Sequence, residues 1–501
     1  MASESEQNRP VKKPNHGEEE QLEEDFISCL PDTILHIILS KLEMRDAAVT
    51  TAVSKRWAPL FNTLPSLKID ADSFNPRDPN SHLEEHGEPY VKNPDKWIDA
   101  FYSVLDARKA SVKKFDIDVE ILDWYHEYFD EVIRELCDNG VEELLIYNTE
   151  IRELYRIPSP VFSCNTVVKL DFSHCRLVVP SKLTGLRSVK SLKLYCVTVA
   201  DIDLRRMISR CKAMEKLVIT ECNKVEDIVI RGPSLVKLEI SSYRPFAISL
   251  KSVPRLTFVK VSFSYDYEFW RDCYASFEER NAGHLSDECF SPSDSEKSFE
   301  GANEATKLMA FLNRLRIVKD LRLDFSDECC LMLSKEGIAL PPKLSPKCYL
   351  VELKKLCLSW PSNYHTFNTI VSCLLNSSPH LMEVMICVNT STYDHEYHPV
   401  ALELDFWDKQ LPAECVKHHV TAATFLLDGY ISEYCFGFPK FLLLNARTLK
   451  NMNIFYTGNL KGKPETAEKI KNQLLGVQMA SSDSEITIKP ILSKYRYIED
   501  F

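Results

Sequence analysis

Residues 189–194 read Val-Lys-Ser-Leu-Lys-Leu, and residues 214–219 give the same form again as Met-Glu-Lys-Leu-Val-Ile. An apolar residue, two mostly polar ones, then apolar, any, apolar is the pattern of a short strand with one buried face, because successive side chains of a strand point to opposite sides. The form returns at Val112-Lys-Lys-Phe115-Asp-Ile117, Val141-Glu-Glu-Leu144-Leu-Ile146, Val167-Val-Lys-Leu170-Asp-Phe172, Leu235-Val-Lys-Leu238-Glu-Ile240 and Leu256-Thr-Phe-Val259-Lys-Val261. Later copies start at Val318, Leu353, Leu381 and Leu449, which makes eleven in all. From Val112 to Leu256 they step by 29, 26, 22, 25, 21 and 21 residues. A near-constant step means that each copy is one unit, too small to bury its apolar side alone, which stacks on its neighbours. The strands are expected to form a parallel sheet, with segments such as Leu204–Cys211 returning behind it. Val225-Glu-Asp-Ile228-Val-Ile230 fits the template halfway between two copies and reads as an extra strand or half-repeat.

Two copies run further, as Leu170-Asp-Phe172-Ser-His-Cys175-Arg-Leu177 and Leu217-Val-Ile219-Thr-Glu-Cys222. Their period and strand-end cysteine resemble leucine-rich repeats, in which an Asn or Cys at this position satisfies backbone groups where the strand turns inward. Cys175 and Cys222 are therefore expected to be structural. The step from Leu256 to Val318 is 62 residues, and the acidic, Ser-rich stretch at about 264–305 reads as a surface insertion.

Upstream, Asp25–Trp57 reads DFISCLPDTILHIILSKLEMRDAAVTTAVSKRW. Pro31 suits the opening of a helix, and Leu35, Ile38, Leu39 and Leu42 recur with helical spacing, while Ile34 and Ile37 widen the apolar arc. Arg45–Trp57 reads as a second helix with Val49, Ala52 and Val53 on one face and Lys55 and Arg56 in its last turn, beside the negative end of the dipole. Thirty-odd residues cannot bury a core of their own, so the stretch reads as a docking piece. The run Leu30-Pro31-Asp32, Leu35, Ile38-Leu39-Ser40, Leu42 and Val53-Ser54-Lys55-Arg56-Trp57 resembles the F-box of plant F-box/leucine-rich-repeat proteins. The resemblance implies that Leu30, Pro31, Leu35, Ile38, Leu39, Leu42 and Val53 line the adaptor-facing and core surfaces toward a Skp-type adaptor, and through it a cullin. Glu43-Met44-Arg45 departs from the family's Pro-Thr turn.

Phe406-Trp407, Leu411–Cys415, Tyr430 and Phe441–Met452 resemble the FBD region that follows such repeats. The expected fold class is α/β. A disordered acidic tail (1–24) leads to a three-helix F-box (25–70), and a linker and irregular solenoid (71–405) follow. An α+β FBD-like region (406–501) would cap the open end, with a closing strand at Glu485–Lys489.

Among 501 residues, 45% are hydrophobic and 27% charged, and the net charge of −12 argues against nucleic acid as the main partner. No apolar run reaches the length of a membrane span and the first residues are too polar for a signal peptide, so the expected location is cytoplasmic or nuclear. Seventeen cysteines lack any C-x-x-C pair and read as reduced, mostly buried residues. Thr457–Pro464 lacks the glycine spacing and the Ser/Thr of a phosphate loop. Asp394, His395, Glu396 and His398, like His418 and His419, read as solvated side chains rather than metal ligands. No catalytic residue, metal site or cofactor is expected. The resemblance implies an adaptor whose repeats hold a target protein for ubiquitin transfer by other subunits. The alternatives are a small-molecule co-receptor on the same scaffold, or a scaffold that binds the adaptor without ubiquitination.

Overall fold

The computed structural model describes residues 27, 29–70, 73, 94–119, 125–148, 154–222, 225, 227–242, 247–263, 308–325, 341–361, 366–389, 404–428, 436–457 and 472–490. The acidic tail, the insertion at 264–305, the linker except for Ser73 and the first residues of α4, Asp394–His398 and residues 458–464 lie outside these. Three short helices come first: α1 (Asp32–Leu39), α2 (Met44–Val53) and α3 (Trp57–Phe61).

Fourteen strands then build one sheet in chain order, every neighbouring pair parallel. They are β1 (Ser66–Asp70), β2 (Lys114–Val119), β3 (Glu143–Asn148), β4 (Lys169–Ser173), β5 (Ser191–Tyr195), β6 (Lys216–Thr220) and β7 (Lys237–Ser241). The row continues with β8 (Phe258–Phe263), β9 (Asp320–Phe325), β10 (Lys355–Pro361), β11 (Glu383–Asn389), β12 (Ala422–Asp428), β13 (Asn451–Thr457) and β14 (Glu485–Pro490). All eleven repeat copies supply a strand. Their two central apolar residues, such as Leu192 and Leu194 or Leu238 and Ile240, are buried, and each pairs in register with its equivalent on the next rung. Because every rung repeats the same two-residue alternation, one buried face runs unbroken along the chain.

Behind that face lies a second layer. It contains α4 (Pro94–Asp106), α5 (His126–Asp138), a 3₁₀ turn at Ser159–Ser163, α6 (Asp201–Arg210), α7 (Thr366–Ser377), α8 (Leu404–Trp407), α9 (Glu414–His418) and α10 (Gly437–Asn445). The half-repeat at 225–230 forms a strand, Asp227–Ile230, which pairs with Ala247–Leu250 outside the main sheet and packs against α6. Cys175 is fully buried, with its thiol donating to the Ser173 carbonyl (3.1 Å), and burial pushes the Cys222 thiol up to about 12.

The region expected as an α+β cap adds β12, β13 and the last strand β14 to the row in the same parallel register, with α8, α9 and α10 behind them. A buried hydrogen bond from Trp407 Nε1 to Asn368 Oδ1 (2.9 Å) joins it to the repeat before it. β12 escaped the template because its central apolar residue is only Ala423, which is nevertheless fully buried.

Candidate docking surface

At the start of the chain, Asp32 opens α1 with Pro31 extended before it, and the Ser40 N–H closes the helix on the His36 carbonyl. The departure at Glu43–Arg45 does not break the turn. Glu43 is the extended residue before α2, its carbonyl accepts the Ala47 N–H (2.9 Å), and Met44 turns into the core.

Leu35 and Leu39, expected among the adaptor-lining residues, are 0% and 1% exposed and pack with Ala47, Trp57, Leu60, Phe61 and Leu64 in a core continuous with Leu67 and Ile69 of β1. Leu30 and Ile38 are half-buried at its margin, and Pro31 and Leu42 are exposed. The Val53 side chain lies outside what is described. The opposite side of α1 stays uncovered within the described residues, with Ile34 at 41% and Ile37 at 56% exposure one turn apart, beside Ile27, Leu42 and Val49. Five of the twelve large hydrophobics exposed in the described residues thus fall within residues 27–49. Isolated exposed apolar residues are ordinary, whereas such a concentration makes this stretch the candidate docking surface. Ile34 and Ile37 were visible as the wide arc of α1, but the sequence did not say which part of the arc faced out.

Lys55 and Arg56 do not cap α2, because that helix stops at Val53 and Ser54 is extended. Arg56 instead reaches back to the start of α1, with Nε donating to Asp32 Oδ1 (3.0 Å) and Nη2 to the Leu30 carbonyl (2.7 Å). His36 Nε2 sits 3.1 Å from the Leu60 carbonyl and 3.0 Å from Thr63 Oγ1, which ties the far end of α1 to α3. The helices are joined to the first repeat where the Lys109 N–H bonds the Asn62 carbonyl (3.1 Å), the Lys113 N–H bonds that of Pro65 (2.7 Å), and Arg108 Nη2 bonds that of Leu64.

The sheet's other face carries the residues between the buried pairs. In register across it run Lys68, Asp116, Leu145, Asp171, Lys193, Val218, Glu239, Lys260 and Arg322, followed by uncharged Cys357, Met385, Thr424 and Asn453. Tyr147 donates to Asp171 Oδ2 (2.8 Å), and Lys193 Nζ stands 3.6 Å from the same oxygen. Burial, then the Asp171 hydrogen bond and charge, raise the Tyr147 phenol well above its ordinary value. Asp118 is pushed up by loss of solvation and then by the like charges of Asp70 and Asp116.

His418 and His419 are not brought together as ligands. His418 faces Glu414 (3.7 Å) and His419 packs edge-on against His380. Among the described residues no group of three His, Cys, Asp or Glu is placed to hold a metal ion, and no helix is long and apolar enough to cross a membrane.

The F-box domain model matches residues 27–68, and the model for the leucine-rich repeats of FBD-associated F-box protein At5g56370 matches residues 129–265. Similar curated proteins, all of Arabidopsis thaliana, include F-box/FBD/LRR-repeat protein At1g13570, 26% identical over 48% of this chain and 54% of its own length. F-box/LRR-repeat protein At2g42730 is 28% identical over 48% and 52%, and F-box protein At1g60400 is 31% identical over 44% and 52%. This chain spans about half the length of the curated relatives it matches. With helices matching an F-box set directly against a parallel ladder matching FBD-associated repeats, the chain is similar in both parts to plant F-box/leucine-rich-repeat proteins.

Proposed function

We propose that this chain is the substrate-recognition subunit of an SCF-type ubiquitin ligase. The uncovered side of α1 docks on a Skp-type adaptor, and the open face of the sheet holds a target protein. The single observation that carries the reading is the apolar set Ile27, Ile34, Ile37, Leu42 and Val49, left exposed on helices that match an F-box. Fully burying a side chain of this kind contributes about 1.5–3 kcal/mol, and these are already about half covered, so the set supplies the centre of a contact whose remaining area must help offset an association cost of about 4–15 kcal/mol. Leu30, Pro31, Ile38 and Leu42 contribute at the rim of that contact, while Leu35 and Leu39 act by holding α1 in place. Residues 25–70 are the docking unit, 71–405 the repeats, and 406–501 an FBD-like end of the same sheet.

The chain performs no chemistry of its own in this scheme, since its task is to raise the local concentration of a target lysine at another subunit's active site. The test is capture by an immobilised Skp-type adaptor, comparing wild type with Ile34→Glu/Ile37→Glu and with Leu30→Ala/Pro31→Ala. Loss of capture at unchanged melting temperature supports the reading. Undiminished capture by the folded Ile34/Ile37 variant, or none by wild type, overturns it.

A further inference from the structure

Cys137 lies in the last turn of α5, and Cys164 closes the 3₁₀ turn Ser159–Ser163, 27 residues later and on the next rung. The packing of α5 on that turn brings the two residues together: Cys164 Sγ stands 3.9 Å from the Cys137 carbonyl, and each thiol is the first influence on the other's titration. The backbone at Cys164 is held by the next rung, where the Leu186 N–H bonds its carbonyl (2.9 Å) and Gly185 approaches so closely that a Cβ would lie 2.3 Å from the Ser163 carbonyl carbon. Both cysteines are free thiols, Cys137 half-buried and Cys164 6% exposed.

We propose that Cys137 and Cys164 are an oxidisable dithiol that closes to an intrachain disulfide on exposure to a small peroxide. The sulfur of Cys164, as thiolate, attacks the peroxide O–O bond, which breaks to give a sulfenic acid and, after protonation, one water. The sulfur of Cys137 then displaces the sulfenic oxygen as a second water, forming the S–S bond. Two thiols lose two electrons and two protons in total, and one hydrogen peroxide is reduced to two waters.

The chemistry is favoured at Cys164 rather than Cys137. The Cys137 thiol first, and then the N–H groups of Thr166 and Val167, stabilise the Cys164 thiolate and hold its pKa down to about 5 against the opposing effect of burial. The Thr166 hydroxyl contributes little, since its single hydrogen goes to the Val141 carbonyl (2.7 Å). The hydrogen bond to Cys164, then burial, keep Cys137 protonated. The bond would clip α5 to the turn that leads into β4, behind the rungs that carry Tyr147 and Asp171. It does not depend on what occupies the α1 surface.

A second cysteine pair, Cys357 and Cys387, serves as the internal control. Its thiols are 7% and 3% exposed on adjacent strands, which keeps peroxide from both, and the Cys387 thiol is raised by Cys357 and by burial.

The test treats the full chain with hydrogen peroxide, blocks remaining thiols with iodoacetamide and maps peptides without reduction. The expected result is loss of two hydrogens, a Cys137–Cys164 cross-link, and free Cys357 and Cys387. The rate of peroxide consumption at Cys164, the first step, should change less than twofold between pH 6.5 and 7.5, where an ordinary thiol of pKa about 8.5 rises close to tenfold. Retention of both thiols overturns the proposal, as do Cys164 oxidised beyond sulfenic acid with Cys137 still alkylatable, a cross-link mapped elsewhere, or a tenfold pH response. Mapping on wild type removes any dependence on variant folding; folded Cys137→Ser should abolish the cross-link, and its persistence as a loss of two hydrogens refutes the pairing.

Discussion

Leu35 and Ile37 are two positions apart on α1, yet one is 0% and the other 56% exposed, and substitutions at them should separate folding from binding. Leu35→Ala removes side-chain volume from a packed core and is expected to cost about 2–5 kcal/mol. Ile37→Glu adds a charge where water already reaches, so it should change stability by no more than about 0.5 kcal/mol. Urea unfolding of the two variants measures the contrast. Thiol chemistry gives a second residue-scale expectation. Exposed Cys29 should alkylate in the native protein, whereas burial raises Cys211, Cys222 and Cys415 to about 12, so these should label only on unfolding. Time-resolved mass mapping with iodoacetamide at neutral pH reads the order.

Among the elements, β2 carries a pH-dependent cost. Asp118 has its pKa raised in the folded state by loss of solvation and by Asp70 and Asp116, so the folded chain holds that proton more tightly than the unfolded one. The destabilisation is therefore fully present above the folded pKa and disappears as pH falls below the ordinary carboxylate value. Asp118 is nevertheless exposed, so solvent screens much of this cost. Asp118→Asn should melt only slightly higher than wild type at pH 7, and the gap should close as the pH is lowered through the carboxylate range, whereas a gap of constant size would show that charge is not its source. Within the docking helices the relevant link is Arg56 to Asp32 and the Leu30 carbonyl. At 38% and 61% side-chain exposure the ion pair adds little to stability, so its contribution is to fix the start of α1 against the turn after α2.

Across the whole molecule the core is one cluster that runs from Leu35 in α1 to Leu474 beyond β13. A ladder of this kind is held mainly by contacts between successive rungs. Ending the chain after Asn389 would strip β12–β14 and their helices from α7 and β11, leaving the β11 edge unpaired and taking Trp407 and Cys415 from buried Asn368 and the Leu375 carbonyl. Such a fragment is expected to aggregate, whereas a chain ending after Pro490 should remain monodisperse; light scattering of both distinguishes these outcomes. The same continuity means that the docking helices and the repeats are not independent bodies, because β1 leads directly from α3 and is the first rung of the sheet.

How much was legible follows from what each signal depends on. A two-residue alternation repeated at a near-constant step is local, and it alone gave eleven of the fourteen strands described and the parallel ladder; the closing strand β14 was legible at the end. β12 was hidden because Ala423 offers a single methyl group where the other rungs carry a large apolar side chain, too weak a signal to mark a buried position. The helical spacing in residues 32–53 likewise determined that apolar helices form, and the F-box resemblance stood on those residues. The spacing could not say which side of α1 is free, why α2 stops at Val53, or that Arg56 turns back to Asp32, because each depends on where α3 and β1 pack. The pairing of Cys137 with Cys164 is of the same kind. Sequence determined the repeating unit through periodicity, and only the tertiary structure decided which apolar and reactive groups the stacking leaves exposed or brings together, since burial and proximity are properties of neighbours distant in the chain.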